Sequence, residues 1–336
     1  PVLLSMGYVP SAGTIFVRGV KKIIKLSFPR TLALSMTQIT FFAVTAIAST
    51  LGVGSIAVFN LSYNLQSLPL VIVGLSYSIT AFPLLSELGI KRDHVGFFNN
   101  LESAFRRIIF WTVPASVLFI VLRAQIVRSI LGTGAFGWVD TRLTAAALLL
   151  FSFGIIGQSL IVLFVRSFYA LGKTREPILY SILGSLITII LSLLFVYGVQ
   201  MFSSFTLFLA ILLRVGDIEN IALLALPFAY SVGVTISALF FARSLWKHAK
   251  ASLLDTECLT SRKGIMRSIV EILFASAGIG LTAYLLLQVF ASFFNLSTFL
   301  GIFAQGALAG LGGIAVGAFL LYAIGNRELR EIVGRG

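Results

Sequence analysis

The sequence predicts an all-α integral membrane protein with about eight transmembrane helices, and three observations predict it. First, of 336 residues 58% are hydrophobic and only 11% are charged, with a mean hydropathy of +1.02. A soluble domain carries about 45–50% apolar and about 25% charged residues, and a water-soluble globule cannot hide this many apolar side chains. Second, the charges gather in short clusters between long uncharged runs. Third, the apolar runs are continuous rather than alternating, which argues against barrel strands. In hydrocarbon, a helix pairs every backbone group within its own segment, whereas an open sheet does not.

The uncharged runs place the helices. Thr31–Ser86 holds 56 residues and Ile272–Asn326 holds 55 without Asp, Glu, Lys, Arg or His. A bilayer core takes about 20 helical residues, so each run accommodates two spans and a turn. Leu143–Val165 and Asn220–Ala242 hold 23 each, one span apiece, and Pro177–Leu213 holds 37, one span with an apolar outer segment. Ile108–Leu122 is shorter and needs a few more residues, up to about Val127. The predicted helices are 30–52, 60–86, 105–128, 143–168, 177–200, 220–244, 268–291 and 299–323.

The basic residues set the direction. With the N-terminal segment on the cytoplasmic side, the inner segments collect Arg18, Lys21, Lys22, Lys25 and Arg30, then Lys91, Arg92, Arg106 and Arg107, then Arg166, Lys173 and Arg175. The last two inner groups are Arg243, Lys247, Lys250, Arg262, Lys263 and Arg267, and Arg327, Arg330 and Arg335. That makes 21 inside, against Arg123, Arg128, Arg142 and Arg214 outside. This asymmetry is the one that orients membrane proteins, and it puts both ends of the chain in the cytoplasm. Residues 1–29 are expected to form a cytoplasmic amphipathic linker, and 18–30 alternate Lys and Arg with Val, Ile, Leu and Phe. That segment reads either as an amphipathic helix on the inner leaflet or as a plain basic flank. The remaining divisions are a six-helix unit (30–250), a cytoplasmic loop (251–267), a helix pair (268–323) and a cytoplasmic tail (324–336). The chain starts at Pro1 without a signal peptide, as expected of a piece that begins inside a longer protein.

Several function classes are set aside. The net charge of +13 and pI near 10.2 would suggest nucleic acid in a soluble chain, but here the charges are explained by inner loops. A single cysteine, Cys258, and two distant histidines, His94 and His248, give no zinc spacing. No P-loop is present, no Asp or Glu falls mid-membrane, and no cofactor is expected. An enzyme acting on lipid-linked sugars would draw on Asp140, Asp217 and Glu219, which have no telling spacing.

What remains is a set of uncharged polar residues within spans. Gln38 lies in the first span, Asn60, Asn64, Gln66, Ser76 and Ser78 in the second, Gln158 in the fourth and Gln305 in the eighth. In lipid such groups either hydrogen-bond between helices, worth about 0.6 kcal/mol on average, or face a wet cavity. Asn60 and Asn64 share one helical face at i, i+4. The same helix carries Pro69, Gly74 and Pro83, which bend helices, and bent polar helices suit a transporter. The substrate-cavity candidates are Gln38, Asn60, Asn64, Gln158 and Arg166. Arg166 either snorkels to the interface or contacts an anionic group. Gly306-x-x-x-Gly310 and Gly313-x-x-x-Gly317 permit close packing, against the seventh helix or across a dimer.

Four phrases carry a family resemblance: SFPRTLALSMTQITFF (27–42), NLQSLPLVIVGLSYSITAFPLLSE (64–87), LGTGAFGWVDTRLTAAAL (131–148) and VRSFYALGKTREPILYSIL (165–183). They resemble the MurJ/MviN family of lipid II flippases, in order and spacing over residues 10–250. The resemblance implies a fourteen-helix protein of the MOP exporter superfamily, with two six-helix lobes and a final pair. The eight spans here would be its helices seven to fourteen, without the N-terminal lobe. It implies movement of an undecaprenyl-pyrophosphate-linked peptidoglycan precursor across the bacterial cytoplasmic membrane by alternating access, with membrane lipids and the missing lobe as partners. It also implies cationic residues gripping the pyrophosphate and a lipid-tail groove on the last two helices. The family often has an arginine a few residues before the "LP" pair; Asn64 stands there. Asparagine hydrogen-bonds but does not neutralise phosphate, which leaves open a related polyprenyl-linked oligosaccharide or a drug as cargo.

Overall fold

The computed structural model describes residues 31, 35–132, 137–202, 207, 210, 211, 213, 216, 221–252, 255–295 and 298–333; the expected basic linker, 1–29, lies outside them. Among the described residues every regular element is helical. In order they are α1 (Ser35–Ala48), α2 (Ser55–Pro69), a π-helical segment (Leu70–Leu75), α3 (Ser76–Lys91), α4 (His94–Val121) and α5 (Arg123–Leu131). Then come α6 (Trp138–Ser152), α7 (Gly154–Ala170), α8 (Arg175–Met201), a 3₁₀ turn (Ile221–Leu224), α9 (Ala225–Ser252), α10 (Asp255–Phe290), α11 (Phe299–Ile324) and α12 (Arg327–Val333).

All eight expected spans have a helical counterpart, but not all are simple rods. Six are long and apolar enough to cross a bilayer, and α6 with α7 makes a seventh, bent by 45° at Phe153. The first expected span is described as a helix only over Ser35–Ala48, shorter than a full crossing. The second is one continuous element from Ser55 to Lys91, interrupted by the π segment that follows Pro69. Proline has no N–H to donate, and widening to i→i+5 bonding is one way a helix absorbs that loss.

Two boundaries differ from expectation for one reason. α4 starts at His94 instead of 105, and α10 starts at Asp255, so the segment expected as a loop (251–267) is helical over most of its length. Charge marks the edge of the hydrocarbon, not the end of a helix. Asp93 caps α4 by accepting from the Gly96 amide at 2.9 Å. The added turns are then supported by i,i+4 ion pairs, Glu102–Arg106 at 2.9 Å and Arg267–Glu271 at 2.7 Å.

α9 is the central helix. Its span is 67% buried, against 22–39% for the other five. It packs on α7 and α8 along most of its length, and α2 packs on α6. One apolar cluster joins Val44, Phe59, Phe151, Leu226 and Tyr230 at one end of the helices. A second joins Leu85, Phe97, Ile108, Phe168 and Phe241 at the other end. α10 and α11 form a pair that leans on α4 and α5. The glycines of α11 are used inside the chain: Gly313 and Gly317 face Ile279 of α10, and Gly306 and Gly310 face Gln125 and Leu122.

Candidate functional site

The element joining α2, the π segment and α3 organises the site. Its buried face runs through Phe59, Ser62, Gln66, Pro69 and Gly74. Gly74 is set hard against α7: a methyl added there would lie 2.7 Å from Ser159 Cβ and 2.8 Å from its Cα. Two turns before Gly74, Gln66 is fully buried. Gln158 Nε2 donates to Gln66 Oε1 at 3.0 Å, and the reverse contact is 3.5 Å. The amides therefore satisfy each other inside the helix bundle, where an unpaired buried amide costs about 1–3 kcal/mol.

The break between α6 and α7 is also satisfied by a side chain. Ser231 of α9 donates to the Leu150 carbonyl at 2.7 Å. Gly154 and Gly157 bring α7 onto α9 beside Ser231 and Thr235, so the bend is built into the packing.

The five expected cavity residues separate into two groups. Gln38 and Asn64 are exposed. Phe41 packs on Tyr63 with ring centroids 4.7 Å apart, so the turns carrying Gln38 and Asn64 lie on neighbouring helices within a turn of this contact. Asn60 is half-buried and its Oδ1 is sealed without a hydrogen-bond partner among the described residues. Gln158 is not on an open wall; it is buried against Gln66. Arg166 is half-buried on α7, with no hydrogen bond or ion pair to another described residue. Gln305 takes the interhelical role: it donates to the Leu287 carbonyl at 2.9 Å and accepts from Gln125 at 3.4 Å. Gln66, read from sequence only as one polar residue among several, is the partner of Gln158. Its signal was available, since it falls on the Ser62–Pro69 face about 200° from Asn64.

Around this seam, Tyr63, Phe59, Phe151 and Tyr230 form an aromatic cluster with centroids 5.3–6.5 Å apart. Tyr230 and Tyr63 are joined through their hydroxyls at 3.5 Å. Among the described residues no three His, Cys, Asp or Glu side chains converge as a metal site. The arrangement offers uncharged hydrogen-bonding groups on an open helical face, backed by a rigid polar seam. That suits binding an amphiphile better than bond-breaking chemistry.

Known proteins share this sequence pattern and this fold. The family model described as lipid II flippase MurJ matches residues 14–203, more than half of the chain. The probable lipid II flippase MurJ of Thermotoga maritima is 28% identical over 177 residues, covering 53% of this chain and 36% of the relative. The lipid II flippase MurJ of Burkholderia cenocepacia is 25% identical over 183 residues, with 53% and 36% covered. The chain thus spans about a third of the length of the curated relatives it matches. Among solved structures, lipid II flippase MurJ in an inward closed conformation superposes with a TM-score of 0.66 at 19% identity, over 92% of this chain and 56% of that one. An outward-facing multidrug resistance MATE family transporter of the MOP superfamily gives a TM-score of 0.51 at 17% identity, over 92% and 66%. At these identities the structural likeness speaks for the fold.

Proposed function

The chain belongs to the lipid II flippase MurJ family, and from that premise we propose that it is the C-terminal part of a transporter that moves undecaprenyl-linked peptidoglycan precursor across the bacterial cytoplasmic membrane. The observation that carries this reading is the family match over residues 14–203, which spans the second span, its π segment and the bent α6–α7 pair. The cargo joins a charged pyrophosphate and sugars to a long apolar tail, and hydrocarbon rejects the polar part. A flippase lowers that barrier by lining a path with polar groups and opening it to one leaflet at a time. Gln38 and Asn64 are suited to the sugar or phosphate oxygens on such a path, with Asn60 one turn deeper and Arg166, which pairs with no other described residue, as the cation on α7. Gln158 acts one step back, by fixing Gln66 and the π segment. The π segment and the 45° bend support alternating access, because both let a span change direction with its polar backbone groups satisfied, at the bend through Ser231 and the Leu150 carbonyl. The distribution of Lys and Arg supports an orientation with both ends of this segment in the cytoplasm. Membrane lipids and an opposing lobe would complete the machine.

The test is rescue of a strain depleted of its lipid II flippase by the full gene, with leaflet exchange of a labelled lipid II read directly in spheroplasts. Rescue and exchange support the reading; growth arrest with normally inserted protein overturns it. Asn64 favours a second cargo, because the family resemblance puts an arginine at its position. If the native protein exports another polyprenyl-linked oligosaccharide or a drug, Asn64→Arg is the informative variant. It should raise lipid II exchange in a protein that fails to rescue, and change it little in one that rescues.

A further inference from the structure

At the end of the bundle that the basic residues assign to the cytoplasm, the outward line of the central helix α9 changes chemistry. Arg243 is the first charge after the uncharged run Asn220–Ala242, so the edge of the hydrocarbon falls near it. Before that edge, Leu239 and Phe240 are exposed, at 62% and 36%. After it, Arg243, Lys247 and Lys250 are all exposed. Phe240, Arg243, Lys247 and Lys250 recur at steps of three and four residues, which puts them on one helical face. Trp246, half-buried, lies about one turn from both Arg243 and Lys250. We propose that this end of α9 is a docking strip for anionic phospholipid head groups of the inner leaflet, with Arg243 and Lys247 on the phosphates and Trp246 seated beside them at the interface.

None of the three cations hydrogen-bonds or pairs with a carboxylate of another described residue. Other cations at this end are committed to the protein: Lys91 pairs with Glu87, Arg106 with Glu102 and Arg267 with Glu271, each one turn away. The general excess of Lys and Arg on the inner side explains how many cations gather here. It does not explain why these three stand unpaired in one line beside a tryptophan. Glu176 of α8 is engaged on the adjoining face of α9, where it accepts from Ser244 at 2.9 Å and lies 3.3 Å from His248 Nε2. Those contacts hold the end of α9 against α8 and leave the basic line facing outward.

The spacing fits a head-group layer. A helix rises about 1.5 Å per residue, so Lys247 lies about 6 Å and Lys250 about 10 Å beyond Arg243 along the axis. The polar layer on each side of a bilayer is about 5–8 Å deep. Arg243 therefore stands at its inner boundary and Lys247 within it. Lys250 stands at its water edge, from which a long apolar stem reaches back. The tryptophan ring favours the same layer. A soluble acidic partner would match the cations but gain nothing from Leu239 and Phe240, whereas a phospholipid matches the whole line, tail to head.

The inference rests on the orientation proposed above but not on the cargo, and its test reads lipid contact rather than transport. The full protein is reconstituted in phosphatidylcholine bilayers in which a fixed minority of the lipid is brominated on the upper acyl chain, either as phosphatidylglycerol or as phosphatidylcholine. The emission of Trp246 is isolated as the difference between the wild type and Trp246→Phe. Brominated phosphatidylglycerol should quench it more than brominated phosphatidylcholine at the same fraction, with a relative affinity of about fivefold or more. That preference should fall towards one in the triple variant Arg243→Gln, Lys247→Gln, Lys250→Gln. It should persist in the charge-matched variant Lys91→Gln, Arg92→Gln, Arg267→Gln, which removes three charges elsewhere on the same side. Raising the salt concentration should weaken the preference in the wild type, an arm that needs no charge variant and stands even if the triple variant inserts poorly. Equal quenching by the two lipids overturns the proposal, as does a preference that survives in the triple variant or is lost equally in the charge-matched one. Quenching by neither lipid also overturns it, because protein rather than lipid would then cover this face.

Discussion

Glycines bring helices together in two regions of this molecule, and they do so against different neighbours. In the α7–α8–α9 region several glycines face a hydroxyl residue and the atoms at its root. Gly184 of α8 faces Ser237 of α9, Gly233 of α9 faces Thr188 of α8, Gly154 faces Ser231, and Gly74 of the π segment faces Ser159. In the α10–α11 pair the glycines mostly face the tips of aliphatic side chains: Gly278 faces Leu320 Cδ1, Gly312 faces Leu286 Cδ1, and Gly317 faces Ile279. The first region cannot yield without moving a helix axis, because the obstruction includes Cα or Cβ atoms, which no rotamer change moves. The second can yield by a rotamer change. Small residues at an interface therefore say that helices are close, but the neighbour decides how much the closeness costs to disturb. The stiff region is the one that carries the bend and the buried amides.

The sharpest way to break this comparison is Gly233→Ala. The new methyl would lie 2.8 Å from Thr188 Cα and collide with its hydroxyl, at a cost of about 1–3 kcal/mol. Thermal unfolding of the purified full protein should shift down by about 2–4 °C for each kcal/mol. An unchanged midpoint would mean that α8 and α9 slide freely, and the distinction between stiff and compliant regions would fail.

Next in size is the amide pair. Gln158→Leu leaves Gln66 buried and unpartnered and should cost about 1–3 kcal/mol, while the double variant Gln66→Leu, Gln158→Leu should recover most of that loss. A double-mutant cycle on unfolding midpoints reads the coupling directly. Additive losses would show that water or another group satisfies Gln66, and the seam would no longer be dry.

Ser231→Ala is expected to cost about 1 kcal/mol, since it removes the hydroxyl that serves the Leu150 carbonyl at the α6–α7 break. The same substitution at the half-exposed Ser185 serves as the reference, with a smaller shift. Equal shifts at both positions would show that the broken helix finds another donor.

The sequence made the greasy segments and their number legible, because hydropathy and the spacing of charges respond to one physical demand, the absence of water in the core. It did not reveal how far the helices extend past the uncharged runs. Glu102, Arg106, Arg267 and Glu271 look like loop residues by composition, yet they pair at i,i+4 and prolong the helices they sit on. Pro69 signalled a disturbed helix but not its form, since a kink, a break and a π segment begin from the same lost donor. For the site, the polar residues were visible and their partners were not. Asn60 and Asn64 share a face by periodicity, and that face is the more open one. Gln158 has no sequence neighbour that announces Gln66, 92 positions away; pairing across helices is decided by packing, which local periodicity does not encode.

The smallest expected effect is the most discriminating, because it contrasts adjacent positions on α11. At Gly312 an added methyl meets only the Leu286 Cδ1 tip, which another leucine rotamer can withdraw. Alanine is the better helix former by about 1 kcal/mol and restricts the unfolded chain, so Gly312→Ala should be neutral or slightly stabilising, within about 0.5 kcal/mol. At Gly313 the methyl meets the Ile279 carbonyl oxygen at 2.9 Å and Ala283 Cβ at 3.2 Å, neither of which can rotate away, and Gly313→Ala should destabilise by about 1 kcal/mol or more. The two variants share composition, helix and propensity gain, so a difference in their unfolding midpoints isolates the neighbour as the cause. If both are neutral, the α10–α11 pair is compliant throughout and Gly313 belongs with the other glycines of its stripe; if both destabilise equally, rotamer freedom at Leu286 is not what makes this pair tolerant.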